Sequence, residues 1–183
     1  MNSIDERDLV RRAQKGDREA FAALYDRHYQ AIFNYFYYRL GDQERAEDLT
    51  ADLFVRMVEK IDRYQDRGRP FLAWLYTIAR NLLTDYYRRQ RGEEVPLDDL
   101  PLSDGSSPTA EVERRLAVDC LRLALRHLTD EQQQVIIHRF LEKQPIAGVA
   151  ALLGKTEGAI KALQHRALAA LRRAIEKEGC YEP

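Results

Sequence analysis

Cysteine is scarce in this 183-residue chain, which contains only Cys120 and Cys180. Neither belongs to a CxxC pair, and the four histidines form no HExxH motif or Cys/His cluster, so the sequence predicts no metal site. Because Cys120 lies in an apolar helical stretch and Cys180 near the C-terminal tail, we expect one core thiol and one surface thiol rather than a disulfide.

Long apolar runs are absent too. No stretch approaches the roughly 20 residues that a membrane-spanning helix needs, and the acidic start, Met1–Arg7, shows neither a secretory nor a transit pattern. Hydrophobic residues make up 45% and charged residues 32% of the chain, which is typical of a soluble globular protein. We therefore expect a cytoplasmic protein without membrane contact.

Catalytic motifs are missing as well, since the sequence has no Gly-rich phosphate loop and no nucleophile–base pairing. We expect a protein that is not an enzyme and binds no cofactor. The net charge is −1, whereas a free-standing nucleic-acid-binding domain is usually strongly basic. The local distribution of charge therefore matters more than its sum.

Helical periodicity is what the sequence has in abundance, and no segment shows the period-two alternation of a strand. The first predicted helix ends near Gly16, and Asp17 and Asp42 cap the second and third helices. A polar loop, Asp62–Arg69, precedes Pro70, which suits the first turn of a fourth helix. These patterns predict an all-α fold.

The segment 92–108 differs in composition from its surroundings. Its prolines rule out a continuous helix, and its five carboxylates are not balanced by Lys or Arg. We predict two small helical domains, 1–91 and 109–178, joined by this acidic, flexible linker. The linker carboxylates are those of Glu93, Glu94, Asp98, Asp99 and Asp104.

A helix-turn-helix pattern closes the chain. Ile146–Leu153 is a short apolar helix, Gly154 supplies a tight turn, and Thr156 caps the next helix. In such a unit the second helix enters the major groove, and the alternative is an ordinary helical hairpin with a solvated basic face. The inward positions are Ile160, Leu163, Ala167, Leu168 and Leu171. The candidate DNA-contacting residues are Lys155, Thr156, Glu157, Gly158, Lys161, Ala162, His165 and Arg166.

The fourth helix carries a second polar and basic stripe opposite its apolar face. Thr, Asn and Arg side chains suit contact with phosphates and exposed base edges, and Tyr86 and Tyr87 could stack on unpaired bases. Cations at a helix C-terminus also complement the dipole, so a solvated face is the alternative. Trp74, in phase with the apolar stripe, is expected in the core. The stripe consists of Thr77, Arg80, Asn81, Thr84, Arg88, Arg89 and Arg91.

The third predicted helix has an acidic stripe away from its apolar face. Carboxylates repel DNA, so the stripe suits either a basic protein partner or solvent. Its members are Glu44, Glu47, Asp48, Asp52 and Glu59.

Three segments give the chain a specific resemblance. Ala46–Phe54 resembles the polymerase-binding segment of sigma region 2, and Phe71–Asn81 with Arg88 and Arg89 resembles the segment that contacts the −10 promoter element. Ile146–Arg172 resembles region 4, which reads the −35 element. On these residues the chain resembles the extracytoplasmic-function (ECF) subfamily of sigma-70 RNA polymerase sigma factors.

The resemblance implies a protein that binds core RNA polymerase and directs initiation at particular promoters. The acidic stripe would dock on the clamp helices of the largest subunit, through Glu47, Asp48, Leu49, Asp52 and Leu53. The second domain would sit on the flap of the second subunit. Asn81 and the loop Asp62–Arg69, with Arg63 and Arg67, would hold a base flipped from the −10 element. An anti-sigma factor is a possible further partner.

Two alternatives stay open at this point. A stand-alone helix-turn-helix regulator would bind its operator without polymerase, normally as a dimer. A helical adaptor would leave both basic faces merely solvated. Binding to promoter DNA in the absence of core polymerase separates the first of these from a sigma factor.

Overall fold

The computed structural model describes residues 5–92 and 109–180, and every regular element within these ranges is helical. The all-α prediction is thus confirmed. No helix among these residues is long and apolar enough to span a membrane. The elements are α1 (Glu6–Gln14), α2 (Arg18–Leu40), α3 (Gln43–Lys60), a 3-10 turn (Ile61–Arg63), α4 (Phe71–Gly92), α5 (Thr109–Leu125), α6 (Asp130–Ile136), a π-helical segment (Ile137–Leu141), α7 (Ile146–Leu153) and α8 (Glu157–Glu178).

The chain packs as two compact units. The first contains the residues up to Thr84 and the short segment Ala150–Lys155, and the second contains Asp85–Val149 and the residues from Thr156 onward. The domain limits expected from composition, 1–91 and 109–178, stay a prediction. The acidic segment 93–108 lies outside the described residues.

Aspartate caps set the helix starts of the first unit. The Asp17 carboxylate accepts hydrogen bonds from the backbone amides of Glu19 and Ala20, and Asp42 accepts from the amide of Arg45. Gly41 ends α2 with a φ of 69°, which a glycine adopts without steric cost. The predicted caps at Asp17 and Asp42 are therefore confirmed.

The core of the first unit is built from the inner faces of α1 to α4. Its most deeply buried side chains are aliphatic or aromatic and come from all four helices: Leu9, Leu24, Ile32, Phe36, Leu53, Met57 and Leu75. The buried His28 adds a polar link, because its Nε2 lies 2.7 Å from Oε1 of Glu6. This bond joins α1 to α2 and fixes the N-terminal helix on the bundle.

The second unit has its own core between α5, α6 and α8. Ala124, Leu125 and Leu128 pack with Ile136, Ala167 and Ala174, and Thr129 opens α6 with a capping box to Gln132. One inward assignment was wrong: Leu168 is 41% exposed. The buried face of α8 is therefore narrower than the apolar pattern predicts, and Leu168 lies at the edge of that face.

The expectation of two free thiols was wrong. Cys120 of α5 and Cys180, just beyond α8, form a disulfide with 5.8 Å between their Cα atoms. Gly179 ends α8 in the left-handed conformation, and the next residue lies against α5. The two cysteines are 60 residues apart in sequence, so only the packing of α5 on α8 brings them together.

Candidate nucleic-acid interface

The turn between α7 and α8 has the geometry that the helix-turn-helix pattern predicts. Gly154 has a φ of 63°, and the amide of Lys155 donates to the carbonyl of Ala150 at 3.0 Å. Thr156 then caps α8, with its Oγ1 accepting from the amide of Ala159 at 3.1 Å. The first turn of α8 is therefore closed by its own cap.

The N-terminal half of α8 separates cleanly into two faces. Ile160, Leu163 and Ala167 are buried, whereas every candidate DNA-contacting residue of the helix is exposed. Lys155, which precedes the helix, is half-buried. The exposed set is Thr156, Glu157, Gly158, Lys161, Ala162, His165 and Arg166.

The chemistry of this face suits a groove in DNA. Lys161 and Arg166 supply donors for guanine edges and phosphates, and Glu157 can accept from a cytosine amino group. No heavy atom lies within 4 Å of where a Cβ on Gly158 would stand, so the surface there is open. Small residues at Gly158 and Ala162 let another molecule approach the helix backbone closely.

A hydrogen bond that the sequence did not reveal holds α8 in place. Nε of Arg139, in the π-helical segment, donates to Oε1 of Gln164 at 3.0 Å. Gln164 lies between the exposed Lys161 and the buried Ala167, so the bond fixes the rotation of the helix about its axis. The two residues are 25 positions apart, and no local pattern signals the contact.

The polar stripe of α4 is fully on the surface. All seven of its predicted members are exposed, and Leu75, Ile78, Ala79 and Leu82 on the other side are buried. The hydroxyls of Thr77 and Thr84 donate to the carbonyls of Ala73 and Arg80, at 3.2 Å and 2.9 Å. Their oxygens keep lone pairs with which to accept hydrogen bonds from another molecule.

The C-terminal end of α4 combines cations with aromatic rings. Arg88 forms a loose, exposed ion pair with Asp85 at 3.9 Å, a geometry that costs little to open. The rings of Tyr86 and Tyr87 lie 5.7 Å apart, and the Tyr86 hydroxyl accepts from Gln90 at 2.8 Å. Tyr87 is 37% exposed, which leaves part of its ring available for stacking.

A cavity of about 390 Å³ opens beside the start of α4. Trp74 was expected in the core, but it is half-buried and lines this cavity, with its ring centroid 5.1 Å from that of Tyr64 and 5.3 Å from that of Phe71. Asn81 does not line it. The lining consists of Arg63, Tyr64, Gln65, Arg67, Arg69, Pro70, Ala73, Trp74 and Thr77.

The loop that forms one wall of this cavity is held by side chains of α1. Nε2 of Gln14 donates to the carbonyls of Ile61 and Tyr64, both at 2.9 Å. Asp66 pairs with Arg7 at 3.1 Å and accepts from the amide of Gly68 at 2.8 Å. These bonds order the loop, and they leave the exposed Arg63 and Arg67 at the mouth of the cavity.

The predicted polymerase-binding residues of α3 are of two kinds, exposed carboxylates and buried leucines. Glu47, Asp48 and Asp52 are exposed, as are Glu44 and Glu59. Leu49 is 9% exposed and Leu53 is fully buried, so both leucines serve the core. A protein partner at this face would meet carboxylates, together with the exposed Val55 and Val58.

An aromatic stripe on α2 lies beside the acidic stripe and was not predicted from the sequence. Tyr25, Tyr29, Phe33 and Tyr37 follow each other at four-residue spacing, with successive centroids 5.3, 6.2 and 5.4 Å apart. Burial raises the pKa of Tyr29, and the nearby Tyr25 and Glu47 raise it further. The signal, an i, i+4 series of aromatics, was readable in the sequence.

These features define a class of protein: an all-helical DNA-binding protein with a capped helix-turn-helix formed by α7 and α8 and a polar, arginine-rich α4. The family comparison agrees. Residues 24–93 match the Sigma-70 region 2 model, and residues 124–173 match the Sigma-70 region 4 model.

Relatives of known name give the same result. The chain is 39% identical over 175 residues to the ECF RNA polymerase sigma factor BldN of Streptomyces coelicolor, covering 92% of this chain and 65% of that protein. It is 31% identical over 180 residues to the ECF sigma factor SigD of Mycobacterium tuberculosis, covering 94% and 85%. The chain belongs to the sigma-70 family and, within it, to the ECF sigma factors.

A solved structure supports the fold assignment. The chain is 25% identical to CnrH, solved in complex with the cytosolic domain of CnrY, with a TM-score of 0.63. The match covers 94% of this chain and 97% of CnrH.

Proposed function

We propose that this chain binds core RNA polymerase and directs it to promoters whose −10 and −35 elements it contacts through separate helices. One observation carries the proposal. The exposed polar faces of α4 and of the N-terminal half of α8 lie within the regions matched by the region 2 and region 4 models, in that order. A sigma factor needs one face for each promoter element.

The −35 element is read by α8. Lys161 and Arg166 donate to base edges or phosphates, and His165 and Glu157 flank them on the same exposed face. Thr156 and Lys155 lie at the N-terminal end, where backbone amides and the helix dipole favour a phosphate. Gly158 and Ala162 allow the close approach that these contacts require.

The −10 element is melted and read by α4 and the cavity beside it. An unpaired base that leaves the stack needs a pocket with an aromatic wall and polar groups. The cavity offers Trp74 and Tyr64 as walls, and Arg63 and Arg67 at its edge. Asn81 lies one helical turn beyond Thr77, where it contacts the neighbouring nucleotide, and Arg88, Arg89 and Arg91 neutralise the backbone.

Core polymerase is bound through the acidic face of α3. The carboxylates of Glu47, Asp48 and Asp52 contact basic groups on the clamp helices of the largest subunit, and the second unit sits on the flap of the second subunit. Leu49 and Leu53 support this face from the core. The solved relative CnrH is in complex with the cytosolic domain of CnrY, and an anti-sigma factor is a further expected partner of this chain.

Weak DNA binding by the free chain follows from its charge. A net charge of −1 gives little general attraction to phosphates, so stable promoter binding requires polymerase. This property disfavours a stand-alone regulator. It agrees with a protein that acts in the cytoplasm as a subunit of RNA polymerase.

Run-off transcription with core polymerase over a promoter library tests the proposal. We expect transcripts that start at defined sites and share two separate sequence elements upstream of the start. Core polymerase alone is the control. Tight specific binding of the free chain to DNA, without any gain from core polymerase, would instead support a stand-alone regulator.

A further inference from the structure

The disulfide lies at the point where α5 joins the core of the second unit. Residues 112–119 of α5 are exposed wherever their side chains are described, Cys120 is half-buried, and Ala124 and Leu125 are buried. The bridge therefore attaches α5 to the rest of the unit where its described side chains change from exposed to buried. From this placement we infer that Cys120 and Cys180 form a reversible thiol–disulfide exchange site that controls how firmly α5 is held against α8.

The α8 side of the bridge is open to solvent. Cys180 follows Gly179 after the last turn of the helix, and it is exposed. Two residues before Cys180, Glu178 forms a hydrogen bond with His127, which follows α5. This hydrogen bond gives the two chain segments a second, non-covalent link, which remains when the disulfide is reduced.

Exposure decides which sulfur reacts. A thiolate attacks Sγ of Cys180, because Cys120 is partly shielded by the helix, and Cys120 leaves as a thiolate that takes up a proton. A second small thiolate then attacks the small-molecule sulfur of the mixed disulfide, and Cys180 leaves as a thiolate that takes up a proton. The net reaction converts one protein disulfide and two small thiols into two protein thiols and one small disulfide, a two-electron reduction of the protein. The reverse reaction uses a low-molecular-weight disulfide, such as oxidised glutathione, as the oxidant.

The use of the site as a reversible device rests on the proposed function. A sigma factor works in the cytoplasm, where protein disulfides are commonly transient and redox-sensing. The existence of the site does not depend on that function, because it follows from the positions of the two sulfurs.

The test uses the purified full chain in glutathione buffers of graded redox potential. After equilibration, free thiols are blocked with a maleimide and counted by mass spectrometry. We expect a single transition between a reduced form that carries two maleimide labels and an oxidised form, with an intramolecular disulfide, that carries none. Closing a loop that spans 60 residues should also raise the melting temperature of the second unit in the oxidised form by on the order of 10 °C.

The double variant Cys120→Ser, Cys180→Ser is the matched control, and its melting temperature should equal that of the reduced wild-type chain. If that variant does not fold, wild-type chain in excess reducing thiol provides the same reference. The inference is overturned if both thiols stay free in the most oxidising buffer, if oxidation yields only intermolecular dimers, or if the two redox forms melt together.

A parallel measurement separates this site from the proposed function. Loss of polymerase binding on the Asp48→Lys substitution, measured with the reduced chain, reports the proposed function alone, because Asp48 lies in the first unit and neither cysteine does. If the thiols follow the expected redox transition but the chain binds no polymerase, the proposed function is refuted and the exchange site stands. If the chain binds polymerase but forms no disulfide, the exchange site is refuted and the proposed function stands.

Discussion

Replacing Lys161 with Ala isolates the contribution of the exposed face of α8 to promoter binding. The side chain is exposed, so its removal should change the free energy of unfolding by less than about 0.5 kcal/mol. A donor that contacts a base edge contributes about 1–3 kcal/mol of discrimination, which corresponds to a roughly 5- to 150-fold loss on a promoter that carries the preferred −35 element. On a promoter with a scrambled −35 element, the same substitution should hardly change the amount of transcript.

The assay is run-off transcription with saturating core polymerase, in which the chain is titrated on both templates. Lys177→Ala is the matched control, because Lys177 is also an exposed lysine of α8 but lies in its last turn. Equal losses for the two lysine variants, or an equal loss on both templates, would refute the assignment of this face to the −35 element. Circular dichroism melting of each variant confirms that the fold is intact.

Further predictions concern the first unit. Asp48→Lys should weaken binding to core polymerase several-fold, and the loss should shrink as salt screens the carboxylates, which an equilibrium titration at two ionic strengths detects. Leu53→Ala should lower the free energy of unfolding by about 2–5 kcal/mol in denaturant titration, because the side chain is fully buried; an effect confined to polymerase binding would contradict its core role. The pKa of Glu6 is lowered, chiefly by its hydrogen bond from His28, so this bond stabilises the fold fully above the ordinary pKa of 4.5 and is lost as the pH falls below it. Glu6→Gln should therefore lose less stability between pH 7 and pH 3 than the wild type does, and identical acid profiles would contradict this.

The elements and their caps could be predicted because their determinants are local. Asp17 and Asp42 act within three residues of themselves, and the Thr129 capping box is complete within one turn. The same holds for the two faces of α8, since residues three and four apart share one side of a helix. For these features a short window of sequence contains all the groups that interact.

Features that depend on packing between distant segments were missed. The Cys120–Cys180 bridge joins residues 60 apart, and the Arg139–Gln164 bond joins residues 25 apart. Trp74 was misplaced for a related reason. Its phase on α4 is that of a core residue, but the loop before the helix leaves a cavity over its ring, and the path of that loop depends on Gln14.

A crossed comparison of protein and promoter variants tests the central claim most directly. Wild type, Lys161→Ala and Asn81→Ala are each assayed in run-off transcription on the intact promoter, on one altered at −35 and on one altered at −10. Lys161→Ala should reduce transcription on every template except the one altered at −35, and Asn81→Ala on every template except the one altered at −10. On those two templates the contact that the substitution removes is already absent. Uniform losses across all three templates, or no promoter-specific transcript from wild-type chain with core polymerase, would contradict the account.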